Sequence, residues 1–204
     1  MTKKEKKIFA FMTTRLNRLK TLPDNKCRAE LAELRHGIGH APGELPMLWG
    51  AFLSDLPEEL YGWNGDPSDA QWAVYIALTM FALHQQGHDI SSDMMHKSGA
   101  RFGSAVRMLA PTFDESNDDL KRIRNRFNKI LTAADMPELS HHLRGMINLL
   151  SKDGIKLDYA DLAVDLCRFA HPENKSKVML KWGQDFCRLS KDETNNDDND
   201  KDNE

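Results

Sequence analysis

The chain has 204 residues, 40% of them hydrophobic and 29% charged, with a formal net charge of −3. That balance is ordinary for a globular protein and excludes a collagen-like or low-complexity chain. No apolar run nears the roughly 20 residues of a membrane-spanning helix.

The first residues, Lys3-Lys4-Glu5-Lys6-Lys7, are basic, but the apolar stretch from Ile8 to Met12 is too short for a secretory leader. The expectation is a cytoplasmic protein. Cys27, Cys167 and Cys187 are odd in number and far apart, which fits neither a disulfide framework nor a zinc site. Buried free thiols are expected.

Taken in chain order, the apolar periodicity is helical almost throughout. Residues 4–21 read as a first helix, ended by Leu22-Pro23-Asp24, and residues 26–36 as a second, closed by Gly37 and Gly39. Residues 44–53 read as a short third helix carrying Met47, Leu48, Trp49 and Phe52. A loop rich in Pro, Gly and Asp follows. Ser68 or Asp69 is the expected cap of a fourth helix, 70–86, which is apolar on nearly every face and should be central in its bundle. A fifth helix is expected over 98–110, stopped by Pro111. The stretch 112–118 is the expected boundary.

Four more helices follow at 119–133, 137–151, 159–169 and 173–189, with Pro137 and Pro172 at helix starts, where a missing N–H costs nothing. Trp49, Trp72, Phe81 and Trp182 occupy apolar helical positions and are expected in the core. The fold class is therefore all-α: two packed helical bundles, 1–112 and 113–190, and a tail. The tail, 191–204, has seven acids, two lysines and no apolar residue, so it is expected to be disordered. It carries a charge of −5, which leaves residues 1–190 at +2.

The cations of that body are clustered. In the helix 119–133, Leu120, Ile123, Phe127, Ile130 and Leu131 fall on one stripe, and Arg122, Arg126 and Lys129 on another face. No acid lies between Lys121 and Lys129 to offset their mutual repulsion, so a phosphate backbone is the natural partner. Arg101, Ser104 and Arg107 are expected along one exposed side of the fifth helix. Arg144 and His141 are expected on the polar side of the helix 137–151. Arg15, Arg18, Lys20, Lys26, Arg28 and Arg35 enrich the first two helices. Several such patches in a near-neutral chain point to a polyanion.

Catalytic patterns are sparse. His84, His88 and Asp89 form a fragment of the His/His-Asp set of HD metal phosphohydrolases, the enzyme alternative considered. No Walker loop, G-x-S-x-G, H-E-x-x-H or zinc-finger spacing occurs, and no catalytic residue, cofactor or metal is expected. A helix-turn-helix regulator would need 137–151 as its recognition helix, but the turn Asp135-Met136-Pro137 lacks the usual Gly.

Certain segments, in this order, resemble a known family. They include Ala32-Glu33-Leu34-Arg35-His36-Gly37, Pro46-Met47-Leu48-Trp49, Ala77 to Gln86, and Gly99-Ala100-Arg101-Phe102-Gly103-Ser104-Ala105-Val106-Arg107. Arg126-Phe127, His142-Leu143-Arg144-Gly145, Leu157 to Ala163 and Trp182-Gly183-Gln184-Asp185-Phe186 continue it. Over residues 27–187 the chain resembles the CasB family, the small subunit of the type I-E CRISPR surveillance complex Cascade. The resemblance implies a non-catalytic, two-bundle subunit in antiviral defence, with a second copy of itself and the backbone and large Cascade subunits as partners. It further implies sequence-independent contacts to crRNA, target DNA and the displaced strand that stabilise the R-loop. It assigns those contacts to Arg35, Arg101, Arg107, Arg126 and Arg144; Arg122 and Lys129 rest on the helix-face argument alone.

Overall fold

The computed structural model describes residues 1–110 and 118–188. The expected boundary at 112–118 falls almost wholly outside them, and the acidic tail at 191–204 wholly so.

Among the described residues nine α-helices run in the order α1 (Lys3–Thr21), α2 (Asp24–His36), α3 (Trp49–Phe52), α4 (Asp69–His84), α5 (Phe102–Met108), α6 (Asp118–Thr132), α7 (Met136–Lys152), α8 (Tyr159–Phe169) and α9 (Pro172–Cys187). No strand occurs among them; an isolated bridge joins His96 to Leu157. The all-α expectation is met.

α4 organises the rest. Ser68 begins it with a reciprocal cap: its hydroxyl accepts from Gln71 N at 3.1 Å while Gln71 Oε1 accepts from Ser68 N at 3.0 Å. Every residue from position 73 to 82 is buried. A helix apolar on all sides must be covered on all sides, and α1, α2, α7 and α8 surround it. Among the described helices the pairing of α4 with α8 is the most extensive, and α5 packs on α9. Buried side chains from 1–110 and 118–188 thus form one continuous cluster.

Gly103 makes the α5–α9 crossing possible. A Cβ there would lie 2.2 Å from the Trp182 carbonyl oxygen. Phe102 fills the same junction edge-on to Trp182, with ring centres 4.8 Å apart.

The loop after α4 is sewn to the start of α8. Leu157 N donates to Met95 O (3.0 Å), Lys97 N to Leu157 O (3.1 Å) and Asp158 N to Ala100 O (2.7 Å). Asp158 caps α8 by accepting from Ala160 N and Asp161 N at 3.0 Å, and its other oxygen accepts from Gly99 N. These bonds engage Gly99 N and Ala100 O away from any helical ladder, so α5 begins at Phe102 rather than at 98. The third helix also shrinks, to a 3₁₀ turn (Pro46–Leu48) followed by α3.

Several burial expectations change. Trp49 is half exposed, because α3 is a single turn on the surface. Cys187 is exposed at the end of α9, whereas Cys27 and Cys167 are buried as expected. Arg15 is buried, with its guanidinium on Gly50 O at 2.8 Å and on Glu30 at 3.1 Å.

A polar pair lies inside the core. His84 Nδ1 sits 2.8 Å from the Tyr159 hydroxyl, and both residues are fully buried. Burial pushes His84 down to about 4 from an ordinary 6.5, with His88 adding repulsion. Folding therefore holds His84 neutral. The resulting stability is fully present above pH 6.5 and is lost as pH falls through 4, by about 3 kcal/mol in all. Urea unfolding of the wild type should lose stability between pH 7 and pH 4.5. In H84Q the profile over that window should be flatter, from a lower starting value. Parallel profiles would show that His84 does not carry the effect.

Candidate nucleic-acid interface

α6 and α7 form a hairpin that presents cations outward. Leu120, Phe127 and Ile130 bury one stripe of α6, and Phe127 meets Phe102 and Phe186 at ring-centre distances of 5.9 and 5.2 Å. That contact fixes the helix rotation and leaves Arg122, Arg126 and Lys129 exposed. α7 starts with Asp135 accepting from Glu138 N at 2.8 Å and buries Leu139, Leu143, Met146, Ile147 and Leu150. Its opposite side carries His141, Arg144 and Gly145.

Between the two helices lies a cleft of about 420 Å³. Arg122, Asn125, Arg126 and Lys129 form one wall, and His141, His142 and Gly145 the other. The Arg126 guanidinium lies against Gly145, its NH1 3.9 Å from where a Cβ would stand, an ordinary contact distance. Arg144 lines an adjoining groove that shares His141 with the first. Arg122 is tied to Asp119 at 3.3 Å within its own helix, an exposed i,i+3 pair worth little. Arg126, Lys129 and Arg144 form no ion pair among the described residues.

The other three candidates stand elsewhere. Arg35 donates from NH1 to Ala82 O at 3.2 Å near the end of α4, and lines a separate cleft with Arg28, Gln85 and His88. Arg101 reaches across to α9, with NH1 3.1 Å from Asp185 Oδ1. That bond raises the Arg101 pKa. Asp185 is buried, and its Oδ2 has no partner among the described residues.

Arg107 does not line an exposed side. It is buried and donates from NH1 to Ala110 O at 2.9 Å, closing the end of α5. The exposed residue at that end is Met108. The Arg15–Arg18 part of the first patch is likewise engaged, by Glu30 and Asp55.

Asn125 and His142 were not singled out from sequence as parts of this cleft. The i,i+3 step from Arg122 to Asn125, and the i,i+3 step from His142 to Gly145, would have pointed to them.

Among the described residues the HD fragment is not assembled into a site. His84 faces Tyr159, His88 Nδ1 is 2.8 Å from Asp93 Oδ2, and Asp89 accepts from Ser91 and Ser92 in its own turn. Among the described residues no three His, Cys, Asp or Glu side chains form a group that could hold a metal. No helix among them is long and apolar enough to cross a membrane.

Comparison with known proteins agrees with this architecture. The family model for CRISPR-associated protein Cse2 matches residues 30–186. CasB from Thermobifida fusca superposes with a TM-score of 0.72 at 30% identity, covering 89% of this chain and 98% of that one. A Cse2-family CRISPR-associated protein from Thermus thermophilus gives 0.63 at 21% identity, covering 91% and 98%. CasB of M. ruber gives 0.60 at 21%, covering 93% and 97%, and with the Thermus protein supports the fold alone. The comparison with curated proteins gave no match.

The burial of these arginines separates structural from surface roles. R107A should lower unfolding free energy by about 2 kcal/mol through loss of a charge-assisted bond in the interior. R101A should also destabilise, because it strands the buried Asp185 carboxylate. R126A, K129A and R144A should stay within about 0.5 kcal/mol of wild type. Denaturant titrations of the five variants check this; a stable R107A would contradict the placement of that side chain.

Proposed function

The chain belongs to the Cse2 family of CRISPR-associated proteins, and from that membership we propose that it is the non-catalytic small subunit of a type I-E Cascade complex whose α6–α7 face clamps nucleic-acid backbone. In such an assembly the guide supplies sequence specificity by base pairing. Protein contacts to the backbone then tip a nearly balanced strand exchange. A cationic face without base-reading geometry suits that task, because phosphate contacts hold a strand without selecting its sequence.

One observation carries the reading: Arg126, Lys129 and Arg144 face solvent around adjoining clefts with no carboxylate paired to them among the described residues. Unbalanced cations on a folded surface cost repulsion that an anion relieves. Arg122 joins them at the far end of the same cleft. Arg35, Arg101 and Arg107 already have partners in the fold, so their contribution is to its shape. The proposed ligands are the crRNA and the target or displaced DNA strand. The proposed protein partners are the backbone and large subunits and a second copy of the chain, in the cytoplasm.

The purified chain should bind single-stranded DNA weakly, without sequence preference and with steep salt dependence. Log K should fall against log salt by roughly 0.7 per phosphate neutralised. Fluorescence anisotropy across a salt series should give a slope shallower by about 1.4 for R126A/K129A. An unchanged slope, or binding insensitive to salt, would remove the clamp.

A further inference from the structure

We infer that the cation track ends in a pocket for one unstacked nucleobase, with Trp72 as its stacking wall, so that this face holds single-stranded nucleic acid in preference to duplex. The inference rests on the proposed backbone-clamping role and adds the class of strand.

The groove that adjoins the α6–α7 cleft has a volume of about 350 Å³, within the range of roughly 300–1,000 Å³ typical of small-ligand sites. Three elements build it. The first turns of α7 contribute Ser140, His141 and Arg144; the turn after α2 contributes His40 and Glu44; and the first turn of α4 contributes Trp72. Trp72 lies just before the fully buried run of α4, in a first turn where Asp69 and Gln71 are also only partly buried. Residues 73–82 are all buried, whereas Trp72 is only partly so.

His141 lines both clefts. A strand whose phosphates lie along Arg126 and Lys129 is therefore led past His141 to Arg144, at the rim of the groove that holds the indole. The acid among the groove's lining residues, Glu44, is engaged by His40 Nδ1 at 3.0 Å and leaves Arg144 unneutralised.

A cationic track beside an aromatic face is the arrangement that retains single strands, because the track follows the backbone and the ring accepts a base of any identity. A base in a duplex is already stacked on its neighbours and cannot enter. Trp49 and Trp63 are more exposed, but Trp49 lines a different cleft, with Tyr61, and Trp63 lines neither of the cationic ones.

The test compares two labelled strands of equal length and charge, an oligothymidylate and an abasic deoxyribose-phosphate strand, by anisotropy at fixed salt. Wild type and W63A should bind the oligothymidylate at least about fivefold more tightly than the abasic strand. W72L should reduce that ratio toward one with an unchanged salt slope, and W72F should keep most of it. Should W72L unfold, as circular dichroism would show, S140L tests the same groove from the opposite wall and should reduce the ratio equally. Equal wild-type binding of the two strands, or a ratio untouched by both W72L and S140L, overturns the pocket while leaving the cation track in place. Failure of both strands to bind sinks the track and the pocket together.

Discussion

The fold depends on one constraint, the burial of α4 on nearly every face. A helix apolar on every face cannot lie on a surface, so segments from both ends of the chain are recruited to cover it. α1 and α2 do this from the N-terminal side, α7 and α8 from the C-terminal side. Covering α4 with α7 leaves α6 to pack on the outside of α7, with Phe127 anchored on Phe102 and Phe186, so Arg126 and Lys129 of α6 stay exposed among the described residues. The cationic hairpin is thus a consequence of how the core is closed. α1 is in turn locked to α8 by the two-pronged Arg168–Glu5 bond, at 2.9 and 2.7 Å. The same bond lowers the Glu5 pKa to about 2.

Electrostatics divides these cations into two classes. Arg15, Arg101, Arg107 and Arg168 act inside the molecule, each on a carboxylate or a carbonyl fixed by the fold. Near α8, burial raises the Asp165 pKa while Lys181, 2.7 Å away, and Trp182 oppose the shift. Charges of this kind specify how helices meet, and removing one partner costs more than the pair contributes. Arg126, Lys129 and Arg144 belong to the other class. No carboxylate in the described fold pairs with them, which leaves them open to the polyanion proposed above.

Local pattern was legible in the sequence, and tertiary partnership was not. α8 begins and ends where the sequence places it, because Asp158 caps its first turn and its residues are buried on nearly every face. α6 and α7 were legible for the same reason: each has an apolar stripe with polar residues opposite, which fixes rotation without knowledge of neighbours. Arg107 shows the limit. Its spacing from Arg101 suggested a shared exposed side, but α5 is only two turns long and is closed by a carbonyl at Ala110, which draws the guanidinium inward. Arg101 finds its carboxylate 84 residues away, a pairing that no helical spacing encodes. Trp49 looked like core because its neighbours Leu48 and Phe52 are, yet the chain turns there into a single helical turn and leaves the indole at the surface. The cleft between α6 and α7 follows from two legible faces meeting, and only their juxtaposition was hidden.

The central claim is that unpaired cations on the α6–α7 hairpin, and not the arginines engaged in the fold, hold nucleic-acid backbone. Charge reversal in the assembled complex tests it most directly, by the lifetime of the R-loop on several unrelated targets. R126E should shorten that lifetime by a similar factor on every target, while the subunit keeps its wild-type thermal stability and its place in the assembly. Wild-type R-loop lifetimes with R126E incorporated would contradict the account.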